Sequence, residues 1–398
     1  MSEWKEVKLG DVCEFHYGKS LPATKRKKGN IPVYGSAGII GYHNEALINS
    51  KGIIIGRKGT IGKVYKSYKP FFPIDTVFYV LPDDKKYNFE YMFYLLVSLN
   101  LDKLNEDSAV PGLNRNNAYN QQIKLPPLPI QKKIADILSV IDEKIETLQN
   151  INSTLEEMAK AIFKSWFVDF DIVKAKASGK SDSEIAKEFG ISKEIVKLFP
   201  REFETSEIGK IPKGWEVGSF EQDCNIAYGK NLPKSKLKEK GYPVFGGNGI
   251  IGYYDKFLYE EPQVIIACRG AASGKVNITL PYSFVTNNSL IIEVKNQSLC
   301  FEYIKYLSVF TDFTTYVTGS AQPQITITSI KKHKFLLPSK IIMEEYSKII
   351  SNFEKIYLNN QYQIQTLQEL KDTFLPKLIK GEIEVDRLDI RGINKNLV

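Results

Sequence analysis

Apolar side chains recur alternately every three and every four residues between Ile130 and Trp166. An average interval of about 3.5 residues keeps them on one side of a helix, and a second helix is needed to cover them. Neither glycine nor proline interrupts this segment. At about 1.5 Å per residue the predicted helix is roughly 55 Å long. The residues predicted to form its seam are Ile134, Leu138, Ile141, Ile145, Leu148, Leu155 and Ile162.

The same spacing returns 212 residues later in the chain. A polar residue at Asn360 and a charged one at Lys371 weaken this second seam. An apolar seam on one short helix usually indicates core packing, but the length and the duplication favour a two-helix coiled coil that acts as a spacer. The residues predicted to form the second seam are Ile350, Phe353, Ile364, Leu367 and Phe374.

The chain is an internal repeat well beyond these helices. Tyr17-Gly18-Lys19 returns as Tyr228-Gly229-Lys230, and the segment 32–42 returns as 243–253 with eight of eleven residues identical. Each half is therefore predicted to be one globular body followed by one long helix. The predicted divisions are a first body at 1–128, its helix at 129–170, a connector at 171–210, a second body at 211–339, its helix at 340–380 and a tail at 381–398.

Within each body, short β-branched and aromatic runs alternate with glycine-rich turns. Ile53 to Ile55 and Val77 to Val80 are typical of strands, whereas Glu90 to Leu99 and Glu302 to Phe310 have the spacing of short amphipathic helices. The bodies are therefore predicted to be α+β, with a twisted and mainly antiparallel sheet.

Composition excludes some classes of protein and leaves others open. The chain has 398 residues, 43% of them hydrophobic, and a formal net charge of +8, which permits a nucleic-acid partner without requiring one. No apolar run is long enough to cross a bilayer, and the N-terminal residues lack the apolar core of a signal peptide. The four cysteines show no paired spacing, so we expect free thiols in a reducing cytoplasm and no membrane association.

These features together resemble the specificity (S) subunit of a type I restriction–modification system. The resemblance covers nearly the whole chain. It rests on the Tyr-Gly-Lys turns, the Pro126–Gln131 helix entry, the Phe163–Phe170 segment after the helix, and the Ile211–Trp215 opening of the second body. The second helix entry departs from the pattern, because Leu337-Pro338-Ser339 lacks the second proline.

The resemblance implies a non-catalytic subunit that reads double-stranded DNA. In this family each body reads one half of a split sequence, and an unread gap separates the halves. The paired helices run antiparallel, set the gap and bind methyltransferase (M) subunits, to which motor–nuclease restriction (R) subunits are added. In such a pair we expect Ile141, Leu148, Leu155 and Ile162 to pack in antiparallel register against the second helix at Phe353, Asn360, Leu367 and Phe374.

Basic loops are the candidates for phosphate contact. They occur in both halves beside glycine-rich turns, although a lysine run is also typical of a solvated surface, and both interpretations stay open. The candidate residues are Lys19, Lys25, Arg26, Lys27 and Lys28 in the first half, and Lys230, Lys234, Lys236, Lys238 and Lys240 in the second. Lys275, outside these loops, is a further candidate for DNA contact.

Base reading requires side chains that present donors and acceptors to groove edges. Arginine, asparagine and glutamine suit this task, although the same residues in loops often satisfy their own backbone. The candidates are Arg57, Lys58, Asn114, Arg115 and Asn116 in the first body, and Arg269, Asn287, Asn288, Gln322 and Gln324 in the second.

Nothing in the sequence predicts catalysis, a metal or a cofactor. The loops 56–64 and 270–276 contain glycine and lysine, but neither has the GxxxxGK[ST] phosphate-loop pattern. The three histidines show no ligand spacing, and no amino-methyltransferase motif is found.

Two questions stay open from the sequence. The connector between Ser181 and Phe199 resembles a helix-turn-helix broken at Gly190, which fits either a packed insert or a third DNA contact. The alternative to a DNA-reading subunit is a coiled-coil adaptor whose two bodies bind protein.

Overall fold

A computed structural model describes residues 4–104, 112–319 and 322–385. The chain divides into two compact units, residues 1–150 with 360–398 and residues 151–359. Each unit contains one α+β body and a part of both long helices. The predicted α+β class with two long helices is confirmed. Most of the predicted tail, from residue 386 onward, lies outside the described residues.

The long helices extend over Leu128–Phe163 and Lys340–Lys380. Pro129 lies in the first turn of the first helix. Proline lacks a backbone N–H, and this costs nothing there because N–H groups of the first turn form no hydrogen bond within the helix. That helix continues into one π-helical turn, Lys164–Val168, which buries Trp166. Gly381 directly follows the second helix, and its φ of +72° is the left-handed conformation typical of the residue after a helix C-terminus.

The two helices run antiparallel within each unit. In the first unit, Lys371 Nζ lies 2.5 Å from Asp142 Oδ1, and Leu138 shares a core with Leu378 further along the second helix. In the second unit, Asn152 Nδ2 donates to the carbonyl of Tyr357 at 3.3 Å. Phe163, later in the first helix, contacts the ring of Tyr346. Residues later in the first helix thus contact residues earlier in the second helix, as expected of an antiparallel pair.

The seam residues lie inward to different degrees. Those that are buried are Ile134, Leu138, Ile141, Leu148, Ile350, Ile364 and Leu367, and those that are half-buried are Ile145, Leu155, Ile162, Phe353 and Phe374. Ile141 and Leu148 form one cluster with Ile364 and Leu367. The polar seam residues Asn152 and Asn360 are also buried.

The described residues of the first body form three small sheets. The four-stranded sheet has the order His16–Tyr17, Val77–Val80, Gly52–Gly56, Val64–Ser67, and the three-stranded sheet has the order Gly38–His43, Ile31–Gly35, Phe72–Pro73. Lys5–Lys8 pairs with Gln122–Leu125. Every pairing is antiparallel except that of Ile31–Gly35 with Phe72–Pro73, which is parallel.

The second body repeats this arrangement. Its four-stranded sheet has the order Cys224–Tyr228, Ser289–Val294, Val264–Ala267, Val276–Ile278, and its three-stranded sheet has the order Gly249–Tyr254, Tyr242–Gly246, Phe284–Val285. Glu216–Ser219 pairs with Lys334–Leu337, and the parallel pairing again joins the second and third strands of the three-stranded sheet. The duplication seen in the sequence is therefore also a duplication of strand order.

Short helices cover these sheets in equivalent places. They are Leu9–Val12, Phe89–Ser98 and Arg115–Tyr119 in the first body and Phe220–Asp223, Phe301–Phe310 and Ile327–Ile330 in the second. Single 3₁₀ turns occur at Ala23–Lys25, Leu101–Leu104, Lys234–Lys236, Gly270–Ala272 and Phe313–Tyr316. Tyr91, Leu95 and their neighbours on the Phe89–Ser98 helix pack into one core with Ile53 and Phe78.

The connector folds as three short helices, Asp171–Ala177, Asp182–Phe189 and Lys193–Leu198, followed by the strand pair Phe203–Ser206 and Gly209–Pro212. Ser181 and Glu184 form a capping box at the second of these helices. Ile185 and Val196 belong to the core of the second unit. The buried Lys176 Nζ donates to the carbonyl of Val196 at 2.9 Å. The connector is thus packed against its unit, and its role in DNA contact stays a prediction.

Candidate nucleic-acid interface

Three separate segments of the first body meet around one exposed ring. They are the Tyr17-Gly18-Lys19 turn, the loop that begins at Arg57, and the segment that begins at Gly112. Lys58 forms an antiparallel bridge with Gly112, and the amide of Leu113 donates to the carbonyl of Arg57 at 2.8 Å. The predicted base-reading residues of this body are therefore brought together although more than fifty positions separate Lys58 from Asn114.

The ring at the centre is that of Tyr17, which is 50% exposed. The guanidinium of Arg57 lies 4.9 Å from the ring centroid and that of Arg115 lies 5.2 Å from it. Arg57 Nη1 also donates to the carbonyl of Asp75 at 3.1 Å. Both ring distances are within the range of cation–π contact, so one aromatic ring holds two guanidinium groups at the surface.

Glycine is required in the turn that carries this tyrosine. A Cβ on Gly18 would lie 2.0 Å from the carbonyl oxygen of Ile74, and one on Gly229 would lie 2.3 Å from that of Thr286. Only a residue without a side chain lets the backbone approach so closely. The approach allows the Lys19 amide to donate to the carbonyl of Pro73 at 3.0 Å, and the Lys230 amide to donate to that of Val285 at 2.9 Å.

The second body assembles an equivalent face. Arg269 forms an antiparallel bridge with Gln324, as Lys58 does with Gly112. The amide of Asn287 donates to the carbonyl of Lys230 at 3.1 Å, and the amide of Cys268 donates to that of Asn288 at 2.9 Å. Lys230, Arg269, Asn288, Gln322 and Gln324 are exposed, and Asn287 is half-buried.

Some candidate side chains already have protein partners. Asn114 accepts from the amide of Asn116 at 2.9 Å and so caps the Arg115–Tyr119 helix. Lys275 Nζ donates to Asn248 Oδ1 at 2.6 Å. These bonds orient the loops, and in the case of Asn114 they use the side-chain oxygen that an adenine contact would need.

The basic loops lie along the hairpin of each three-stranded sheet. Arg26 Nη1 donates to the carbonyl of Ile40 at 2.8 Å, which ties its loop to the strand Gly38–His43. Lys238 bridges to Tyr253 on the equivalent strand and pairs with Asp255 at 3.1 Å. The exposed cations of these loops include Lys25, Lys27 and Lys28 in the first body and Lys234, Lys236 and Lys238 in the second.

The four cysteines carry thiols whose pKa values are raised by burial. Burial raises the pKa of the Cys13, Cys224 and Cys300 thiols to about 12, so these thiols stay protonated and weakly nucleophilic at neutral pH. Burial also raises the pKa of Cys268, although Arg269 opposes the shift. The four cysteines are free, and no cluster of described side chains could hold a metal ion.

Sequence reasoning misses the role of Tyr17 and Tyr228 in these faces. In the sequence both tyrosines are simply parts of the repeated turn, yet both are exposed, and the Tyr17 ring contacts the guanidinium groups of Arg57 and Arg115. The available signal is an aromatic residue directly before a glycine that returns in both halves. None of the described helices is long and apolar enough to span a membrane.

Sequence comparison identifies similar proteins among type I restriction enzymes. The profile of the type I restriction modification DNA specificity domain matches residues 1–157 and 212–369. The MjaIX specificity subunit of a type I restriction enzyme from Methanocaldococcus jannaschii is 28% identical over 97% of this chain and 95% of its own length. The HindI specificity subunit from Haemophilus influenzae is 28% identical over 74% of this chain and 77% of its own.

A solved structure shares the fold. The S subunit of a type I restriction–modification system from M. genitalium has a TM-score of 0.59 and 17% identity, over 95% of this chain and 96% of that chain. The family profile matches both halves of the repeat and most of the chain. The chain therefore belongs to the family of type I restriction–modification DNA specificity subunits, which recognise DNA sequence.

Proposed function

We propose that each body binds one half of a bipartite double-stranded DNA site, and that the chain itself catalyses no reaction. The observation that carries this proposal is the repeated face. In both bodies a β-bridge joins a cationic loop to a second segment, Lys58 to Gly112 and Arg269 to Gln324, and the repeated turn of each body carries an exposed tyrosine. Cations supply affinity for phosphates, and side chains held on a fixed backbone can discriminate bases.

The partners proposed for this chain are M subunits that bind the long helices, and R subunits that join that complex. The helices leave several large apolar side chains exposed, among them Met158, Ile356 and Tyr362. Methionine and tyrosine are among the residues enriched in protein–protein interfaces. We propose a cytoplasmic location, where free thiols such as those found here persist.

A selection experiment tests the function. The chain is combined with the M subunits of its own system, and bound sequences are recovered from a random duplex library. We expect two short fixed elements separated by a gap of constant length, with an affinity that falls steeply between 50 and 200 mM salt, the range over which roughly six to ten phosphate contacts cost 10³–10⁵ in affinity. Recovery of no enriched sequence, with a dissociation constant insensitive to salt, would favour the protein-binding adaptor instead.

Neutralising the first basic loop gives a second expectation. The triple variant Lys25→Gln, Lys27→Gln, Lys28→Gln should weaken binding equally on all duplexes, because phosphate contacts carry no sequence information. The slope of log K against log salt should become shallower by about 0.9 for each phosphate that the variant no longer neutralises. The measurement is fluorescence anisotropy at several salt concentrations.

A charge-matched control is available in the same body. Lys85, Lys86 and Lys103 are also exposed and lie outside the segments that form the face. Changing these three to glutamine alters net charge equally and should leave the slope nearly unchanged. Equal slopes for the two triple variants would show that the loop 25–28 makes no phosphate contact.

A further inference from the structure

We propose that the cluster of Arg57, Tyr17 and Arg115 reads guanine in the half-site bound by the first body. This inference rests on the proposed function and adds the base that the first face recognises. It starts from a pair of arginines that the second body lacks, although the Tyr-Gly-Lys turn and the β-bridge beside the pair occur in both bodies.

The two guanidinium groups are oriented before DNA is bound. Each lies within about 5 Å of the Tyr17 centroid, and each lies within 6 Å of a second ring, Phe78 for Arg57 and Tyr119 for Arg115. The hydrogen bond from Arg57 to the carbonyl of Asp75 fixes that side chain further. Orientation in advance removes part of the entropic cost of ordering a long side chain on binding.

These guanidinium groups retain donors for a ligand. Within the described residues, neither Arg57 nor Arg115 forms an ion pair with a carboxylate. A planar guanidinium presents paired N–H donors, and guanine presents the paired acceptors O6 and N7 in the major groove. No other base offers two acceptors side by side on that edge.

The neighbouring cations are better suited to phosphate. Lys19 and Lys58 are exposed on the same turn and loop, and a lysine ammonium is a point charge without the paired geometry. The face therefore contains two kinds of cation. The lysines are suited to the phosphates of the DNA backbone, and the two arginines are oriented for the edge of a base.

The second body lacks this pair. In the repeat, Arg57 corresponds to Cys268 and Arg115 corresponds to Ile327, whereas Tyr17 corresponds to Tyr228. Cys268 is fully buried and Ile327 is half-buried. The backbone bond persists, since the amide of Ile325 donates to the carbonyl of Cys268 at 3.0 Å as that of Leu113 does to Arg57. The same scaffold thus carries arginines in one body and apolar side chains in the other.

The test uses the selected duplex with the complex of this chain and its M subunits. The first half-site is identified as the half that changes when residues 1–125 are exchanged for those of a relative. We expect that half to contain guanine. Replacing that guanine with 7-deazaguanine, which lacks the N7 acceptor, should weaken binding by roughly 5- to 100-fold.

Variants assign the effect to the cluster. Arg57→Ala and Arg115→Ala should each bind the guanine and 7-deazaguanine duplexes with more similar affinity than the unaltered chain, while the preference for the second half-site is unchanged. Arg57→Lys keeps the charge and should behave as Arg57→Ala does, because the variant lacks the paired donors. Lys58→Ala should weaken both duplexes equally. An unchanged circular dichroism spectrum and an unchanged denaturation midpoint show that the first body stays folded in each variant, and the retained preference for the second half-site shows that the second body is unaffected.

Three outcomes would overturn the inference. They are a first half-site without guanine, no effect of 7-deazaguanine on the unaltered chain, and a uniform loss of affinity in the arginine variants. A complex that selects no sequence at all would instead reject the proposed function, and the two failures are therefore distinguishable.

Discussion

Replacing Leu148 with aspartate is expected to lower the free energy of unfolding by several kcal/mol. Leu148 is 4% exposed and packs in one cluster with Ile141, Ile364 and Leu367. The substitution removes an apolar side chain, which alone costs about 2–5 kcal/mol, and buries a carboxylate for which this cluster provides no partner. Chemical denaturation followed by circular dichroism measures the loss.

The adjacent residue provides the control. Gln149 is exposed on the same turn of the same helix, so Gln149→Asp adds an identical charge without burying it. We expect this variant to change the free energy of unfolding by less than about 0.5 kcal/mol. Equal denaturation midpoints for the two variants would show that the helices do not pack through this seam in solution.

The long helices can be predicted because the features that encode them are local and periodic. From Ile134 to Ile162 most positions spaced alternately by three and four residues are apolar, and in a helix this spacing places them on one face. The weak points of the pattern are also visible in the sequence. Asn152 interrupts the seam and is nevertheless buried, because its amide donates to the carbonyl of Tyr357. The spacing alone cannot supply that partner.

The division of each body into three small sheets could not be predicted. Val33 pairs in parallel with Phe72, and three other strands lie between them in the chain. Such pairing depends on contacts distant in sequence, and short apolar runs look alike whichever sheet they join. The π-helical turn after the first long helix could not be predicted either. Its segment, Lys164–Val168, directly continues the apolar spacing of the helix, so the sequence does not distinguish it from α-helix.

The candidate site can be predicted in its residue types but not in its geometry. The sequence indicates Arg57 and Arg115 as donors able to reach bases, and the structure places both guanidinium groups against the ring of Tyr17. That arrangement depends on three segments brought together by the Lys58–Gly112 bridge and the close approach at Gly18. No local pattern encodes it. The repeat identifies the Tyr-Gly-Lys turn as a candidate, but only the fold shows that two arginines lie against its tyrosine ring.

The second large effect is expected at Trp166, in the turn that follows the first long helix. Trp166 is 3% exposed, and its ring lies 5.1 Å from that of Phe199 and 6.1 Å from that of Tyr346. It therefore joins the helix end, the connector and the second long helix within one aromatic core. Removing so large a ring leaves a cavity that these rigid neighbours cannot fill.

We expect Trp166→Ala to reduce the free energy of unfolding by about 3–5 kcal/mol, as measured by calorimetry or chemical denaturation. Val168, in the same turn, is 45% exposed, so Val168→Ala is the matched control and should cost less than about 1 kcal/mol. The comparison separates the packing of the ring from any effect on the turn itself. If both variants were destabilised equally, the backbone of the π-helical turn, and not the tryptophan ring, would be what holds the connector against the helix end.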